Sequence, residues 1–149
     1  MIDVERSVIE AVRQIAYIAR QTLLQQGSHV PTVVLHTVRG YYPIVLPYET
    51  SEQKRTQVDF IRRKAMEEHA YAVTTVTNAK VINRRTGKET ETIVMATSIQ
   101  GGRPYFSVQP YVRDELGNVI AFDDPVEGEE AAMPGQMLIV PYWEDEVSQ

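Results

Sequence analysis

The side chains here that could do chemistry beyond packing are three histidines, a cluster of carboxylates and two groups of basic residues. His29, His36 and His69 could in principle meet as metal ligands, since such sites draw on residues far apart in a chain. No two of them stand at the i, i+4 spacing that places a histidine pair on one helix face. His69 falls where a second helix should end, so its ring is expected to meet the helix dipole and the last carbonyls. His36 sits in a strand, where it is either exposed or beneath that helix according to register. Asp123, Asp124, Glu127, Glu129 and Glu130 resemble an oxygen-ligand cluster for a hard cation, but they lack the glycine turn and ligand spacing of a calcium loop. They read as a solvated loop, so the sequence assigns neither a metal site nor a cofactor. Arg62, Arg63 and Lys64 form one basic group and Arg84, Arg85 and Lys88 another, and guanidinium forks suit phosphates. The second group sits at a loop tip, where polar residues also keep a long hairpin from aggregating.

The common catalytic signatures are missing. There is no phosphate-cradling glycine loop before a helix, no serine elbow and no paired histidine helix, so no catalytic residue is assigned. With no cysteine among the 149 residues, thiolate nucleophiles, thiolate zinc sites and disulfides are excluded. Charge is unevenly placed. Residues 39–103 hold 11 basic against 7 acidic side chains, while residues 104–149 hold one basic, Arg113, against 10 acidic. The net charge of −5 opposes non-specific binding to nucleic acid, whose affinity comes mainly from neutralised phosphates.

Elements must position these residues, and the first is plain. Val4, Val8, Val12, Ile15, Ala19 and Leu23 recur at helical spacing, and Asp3 and Gly27 supply a start and a stop. Ala11, Ile18, Ala16 and Ile9 widen the apolar arc to about 180°, beyond the stripe of a little over 100° that one packing surface requires. Ile9 and Ala16 lie at one margin and Ile18 at the other. The opposite arc, with Arg6, Glu10, Arg13 and Arg20, is expected to face water, with Arg6–Glu10 and Glu10–Arg13 pairs.

Val30–Val38 and Tyr41–Leu46 read as a hairpin about Arg39-Gly40, and Pro31 and Pro43 require a sheet edge there. Thr50 to Gln53 has the spacing of a capping box, opening a second helix from Ser51 to about His69 with a narrow stripe of Val58, Ile61 and Ala65. Tyr71–Val81, Thr90–Gln100, Pro104–Val112 and Val119–Phe122 then form a meander. The segment Asp123–Gln136 breaks the strand pattern and is expected to be solvated, before a last strand at Met137–Pro141. Tyr105, Ser107, Gln109 and Tyr111 share one face of their strand, a stripe that suits an exposed interface.

The expected fold is one α+β domain, an antiparallel sheet of five to seven strands carrying two helices on one face, in the order α-β-β-α-β-β-β-β-β. The first seven elements resemble the order in roadblock and profilin-like domains, a resemblance of order with no shared motif, and order alone assigns no function. The longest apolar runs are far too short to cross a bilayer. Met1–Glu5 shows neither the basic region nor the apolar run of a secretory leader, so the cytoplasm is the expected location and no membrane partner is expected. The functional expectation is a non-enzymatic protein-interaction module, homo-oligomeric or part of an assembly, with Ile9, Ile18, Tyr105 and Tyr111 as interface residues. A nucleic-acid-associated protein using Arg62, Arg63, Lys64, Arg84, Arg85 and Lys88 is the second reading. A metal-dependent enzyme built on His36 and His69 is the third.

Overall fold

A computed structural model of the chain describes residues 4–45, 50–82 and 86–128. The apolar spacing of the first segment folds into helix α1, Val4–Gln26, which buries Val8, Ala11, Val12, Ala19 and Leu23. It stops at Gly27, whose φ of 77° lets its N–H donate to the Leu23 carbonyl at 2.9 Å, a turn that any side chain would strain. Asp3, the expected cap, lies outside the described residues.

Strands β1, Thr32–Thr37, and β2, Gly40–Val45, form the expected hairpin, although the connecting pair is Val38-Arg39, one residue earlier than the sequence suggests. Helix α2, Ser51–Glu67, opens with the anticipated capping box: the Gln53 N–H donates to Thr50 Oγ1 at 3.1 Å, and the Thr50 N–H donates to Gln53 Oε1 at 3.2 Å. The rest is β: β3 Ala72–Ile82, β4 Glu89–Ile99, β5 Tyr105–Arg113, β6 Val119–Phe122 and β7 Val126–Glu127. All pairings are antiparallel, in the order β2-β1-β3-β4-β5-β6, with β7 also on β5. β2 therefore lies at an edge, where Pro43 removes a donor from no interior ladder. The α+β class and the order of elements are as the sequence implies.

Register shows which face each helix covers. His36 pairs with Ala72, Ala72 with Ile99 and Val76 with Met95, so these residues share a face. That face carries the core cluster of Val8, Val12, Ala19 and Leu23 of α1 with Ala72, Val76, Ile93, Met95, Ile99, Tyr111 and Val119. Leu35 pairs with Val73, one residue out of phase, and Val33, Leu35 and Val73 pack with Ile61 and Ala65 of α2. The helices thus lie on opposite faces, and the expectation of two helices on one face is corrected. The physical reason is visible in β1 and β4, where Val33–Thr37 and Thr92–Ile99 are buried without alternation. A strand buried on both sides carries no period-2 signal to say how the layers divide.

Two further expectations change. The segment after Asp123 is not free over its described part. The Asp123 N–H donates to the Pro110 carbonyl (2.9 Å), β7 pairs with Ser107 and Val108, and the Gly128 N–H donates to the Phe106 carbonyl (2.8 Å). The expected last strand at Met137–Pro141, together with Trp143, lies outside the described residues. His69 is not in the last turn of α2. It follows the Glu68 cap with φ 53° and is exposed.

Candidate functional site

α1 crosses its face of the sheet over β3, β4 and β6, and leaves a cleft along each of its flanks. On the side of β1 and β2 the cleft is apolar. Alternation turns Val34, Tyr41, Pro43 and Val45 to the α1 face, while Ile15 and Ile18 lean over them from the helix. The enclosed volume is about 260 Å³, and among the described residues the polar side chains in its wall are Gln14, His29, Thr32 and the Tyr41 hydroxyl. Burial holds the His29 ring below its ordinary pKa, so it is uncharged at neutral pH. The outer rim is exposed: Ile18 keeps 62% and Tyr41 55% of their surface open to solvent, and Val45, 59% exposed, lies further along the same face of β2.

The other flank is polar. Arg13 and Arg20 stand seven residues apart, two helical turns, and so overhang the same neighbour, β5. From β5, Tyr105, Ser107 and Gln109 point up at every second position, and β7 closes the end; the space is about 280 Å³. Arg13 Nη2 donates to Glu127 Oε2 at 3.0 Å, and the Tyr105 hydroxyl donates to the same oxygen. Burial, with Glu127 beside it, pushes the Tyr105 hydroxyl up to about 12, and the Arg13 hydrogen bond holds the Glu127 carboxyl below its usual range. Arg20 Nη1 donates to Gln109 Oε1 at 3.0 Å, and Gln109 Nε2 donates to the Asp123 carbonyl at 2.8 Å.

A third arrangement is closed to solvent. His36 Nε2 lies 2.7 Å from Thr74 Oγ1, which lies 2.8 Å from Thr97 Oγ1, a polar row across β1, β3 and β4. The rings of Tyr41 and Tyr71 stand edge-on to His36 at 5.4 and 6.2 Å. Burial lowers its pKa to about 4.

The sequence expectations fall out unevenly. Ile18 is on the exposed rim, whereas Ile9 is half-buried and lines neither cleft. Tyr105 and Tyr111 share a face as expected, but it is the inner face: Tyr111 is 3% exposed, packed in the core beside Phe122, and Tyr105 is half-buried on Glu127. The stripe is therefore not an exposed one, because period 2 identifies a shared face without saying which side is covered. His36 is neither exposed nor under α2; it is buried on the α1 face. Of the basic groups, Lys64 is engaged by Glu68 (3.5 Å) and lies over the Tyr42 ring at 5.3 Å, Arg62 is partly buried, and Arg63 and Lys88 are exposed. Arg84 and Arg85 lie outside the described residues, as do Glu129 and Glu130. Arg6 and Glu10 approach to 3.9 Å, but Arg13 reaches Glu127 rather than Glu10. Among the described residues no three histidine or carboxylate side chains converge as a metal-ligand group.

Sequence reasoning missed Arg13, Arg20, Gln109 and Glu127 as a set. The seven-residue spacing of the two arginines was the available signal, but it also fits a solvated helix face. No helix among the described residues is long and apolar enough to cross a membrane. No family model, no curated protein and no solved structure matches the chain.

Proposed function

We propose that this protein is a non-enzymatic interaction module that pairs with a second copy of itself through the apolar flank of α1 and the adjoining face of β2. The observation that carries this reading is the exposed rim of Ile18, Tyr41 and Pro43 around an apolar cleft, with Val45 exposed on the same face of β2. Contiguous apolar surface of this kind marks interaction sites. A second copy is the favoured occupant because, among the described residues, the cleft wall holds no Lys, Arg, Asp or Glu. Along α1 from Gln14 to Gln26 the one charge is Arg20, and it turns to the other flank. In a two-fold interface the residues near the axis meet their own copies, which like charges there would oppose, whereas a different partner is commonly selected by complementary charge. Pairing uses side chains rather than strand addition, since Pro43 interrupts the donors of the β2 edge.

The absence of cysteine makes the test clean. A cysteine placed at position 18 should form an interchain disulfide under mild oxidation much faster than one at Leu116, which is exposed in the β5–β6 turn. Equal rates at the two positions would remove the assignment of this surface.

A nucleic-acid role remains the second reading, with Arg63 and Lys88 as its exposed described cations. Lys64 supports it less, being held by Glu68.

A further inference from the structure

The polar flank of α1 is a separate site from the self-association surface, with a different chemistry. Its Arg13 end already receives a carboxylate, supplied by the chain itself: Glu127 Oε2 accepts from both Arg13 and the Tyr105 hydroxyl. At the Arg20 end the guanidinium meets, among the described residues, only the neutral amide oxygen of Gln109 and the Tyr17 ring, whose centroid is 5.9 Å away. No carboxylate neutralises Arg20 among the described residues. Gln109 is 7% exposed and held at both ends, by Arg20 and by the Asp123 carbonyl, so it fixes the guanidinium while occupying one of its five N–H donors. The neighbouring Ser107 hydroxyl also lines the cleft and has no protein hydrogen-bond partner among the described residues. Between the two ends the wall is apolar, formed by Val12, Ala16 and Pro125.

We propose that this cleft binds a small organic monocarboxylate, whose anionic group is held by Arg20 and Ser107 and whose short apolar body lies against Val12, Ala16 and Pro125. A planar guanidinium fork matches a carboxylate with two parallel hydrogen bonds. Glu127, in the same cleft, sets the charge of the ligand: a phosphate dianion would meet twice the repulsion from that carboxylate that a monoanion meets. The volume of about 280 Å³ limits the body to a small aliphatic chain or a single ring.

The test is a nuclear magnetic resonance titration with benzoate, benzyl alcohol and inorganic phosphate, read at the Arg20 Nε–H and the Gln109 side-chain amide. Benzoate is expected to give saturable shifts at both groups, with dissociation in the millimolar range, and to bind at least about tenfold more tightly than either other probe. Arg20→Gln should weaken benzoate binding at least about tenfold, and Arg20→Lys, which keeps the charge and loses the fork, should fall between the two. The backbone spectrum of each variant reports whether it is folded. No saturable shift with benzoate up to about 20 mM, affinity equal to that for benzyl alcohol, or binding unchanged in both Arg20 variants would each overturn the proposal. Phosphate binding as tightly as benzoate would overturn the carboxylate assignment.

Discussion

His36 has its ring buried, one nitrogen bonded to Thr74 and the other, Nδ1, with no hydrogen-bond partner among the described residues. Among the described residues a charged imidazolium there would meet no carboxylate; its contacts are two tyrosine rings and a hydroxyl. The folded protein therefore holds it neutral, with a pKa of about 4 against 6.5 in the open chain. Between those values the unfolded state binds a proton that the folded state does not, so stability is full above about pH 6.5 and falls as the pH drops toward 4. The loss is expected to be on the order of 3 kcal/mol, and urea unfolding at pH 7 and pH 4.5 would measure most of it. In His36→Gln the part of the acid sensitivity that belongs to this window should disappear. An acid slope identical to that of the wild type would assign it to other groups. None of this was legible from the chain, because positions 36, 74 and 97 are joined only through the register of three strands. A histidine between Leu35 and Thr37 shows nothing of what stands beside it.

Element ends were legible because their signals are local. The capping box at Thr50 and Gln53 and the stop at Gly27 are read from a few adjacent residues, and the hairpins from their turns. At the end of α2 the pattern is unusual. The Ala70 N–H donates to the Ala65 carbonyl at 2.9 Å and the His69 N–H to Met66 at 3.2 Å, a Schellman closure with histidine in the left-handed position that glycine normally takes. Since His69 is exposed and its conformation is disfavoured for a side chain, His69→Gly should stabilise the protein by about 1 kcal/mol, seen as a higher urea midpoint with an unchanged slope. A lower midpoint would show that the ring has a role there.

β7 was not legible, because a two-residue strand is specified by its anchors rather than by its composition. Glu127 ties it to Arg13 and Tyr105. Glu127→Ala should speed amide exchange at Val126 to Gly128 while changing global stability by less than about 1 kcal/mol, since Arg13 is largely exposed. Unchanged exchange would mean that the backbone bonds to β5 hold the strand alone.

At the scale of the molecule, neither the division of helices between the two faces nor the identity of the buried tyrosines was legible in the chain, while the apolar arc of α1 extends past its core stripe to the exposed Ile18. α1 meets the core with its middle, an apolar cleft with Ile18 and a polar cleft with Arg13 and Arg20. Its two flanks therefore differ in chemistry, one uncharged and self-compatible, the other cationic and lined with hydrogen-bonding groups. The proposed self-association through the uncharged flank is tested by sedimentation equilibrium over the micromolar range on the wild type and on Ile18→Glu. Ile18 is mainly exposed, so the substitution leaves the core of α1 intact while setting two like charges near the two-fold axis. The wild type is expected to rise in mass from monomer to dimer with concentration and the folded variant to stay monomeric; a wild type that is monomeric throughout, or a variant that dimerises equally well, would contradict pairing through this flank.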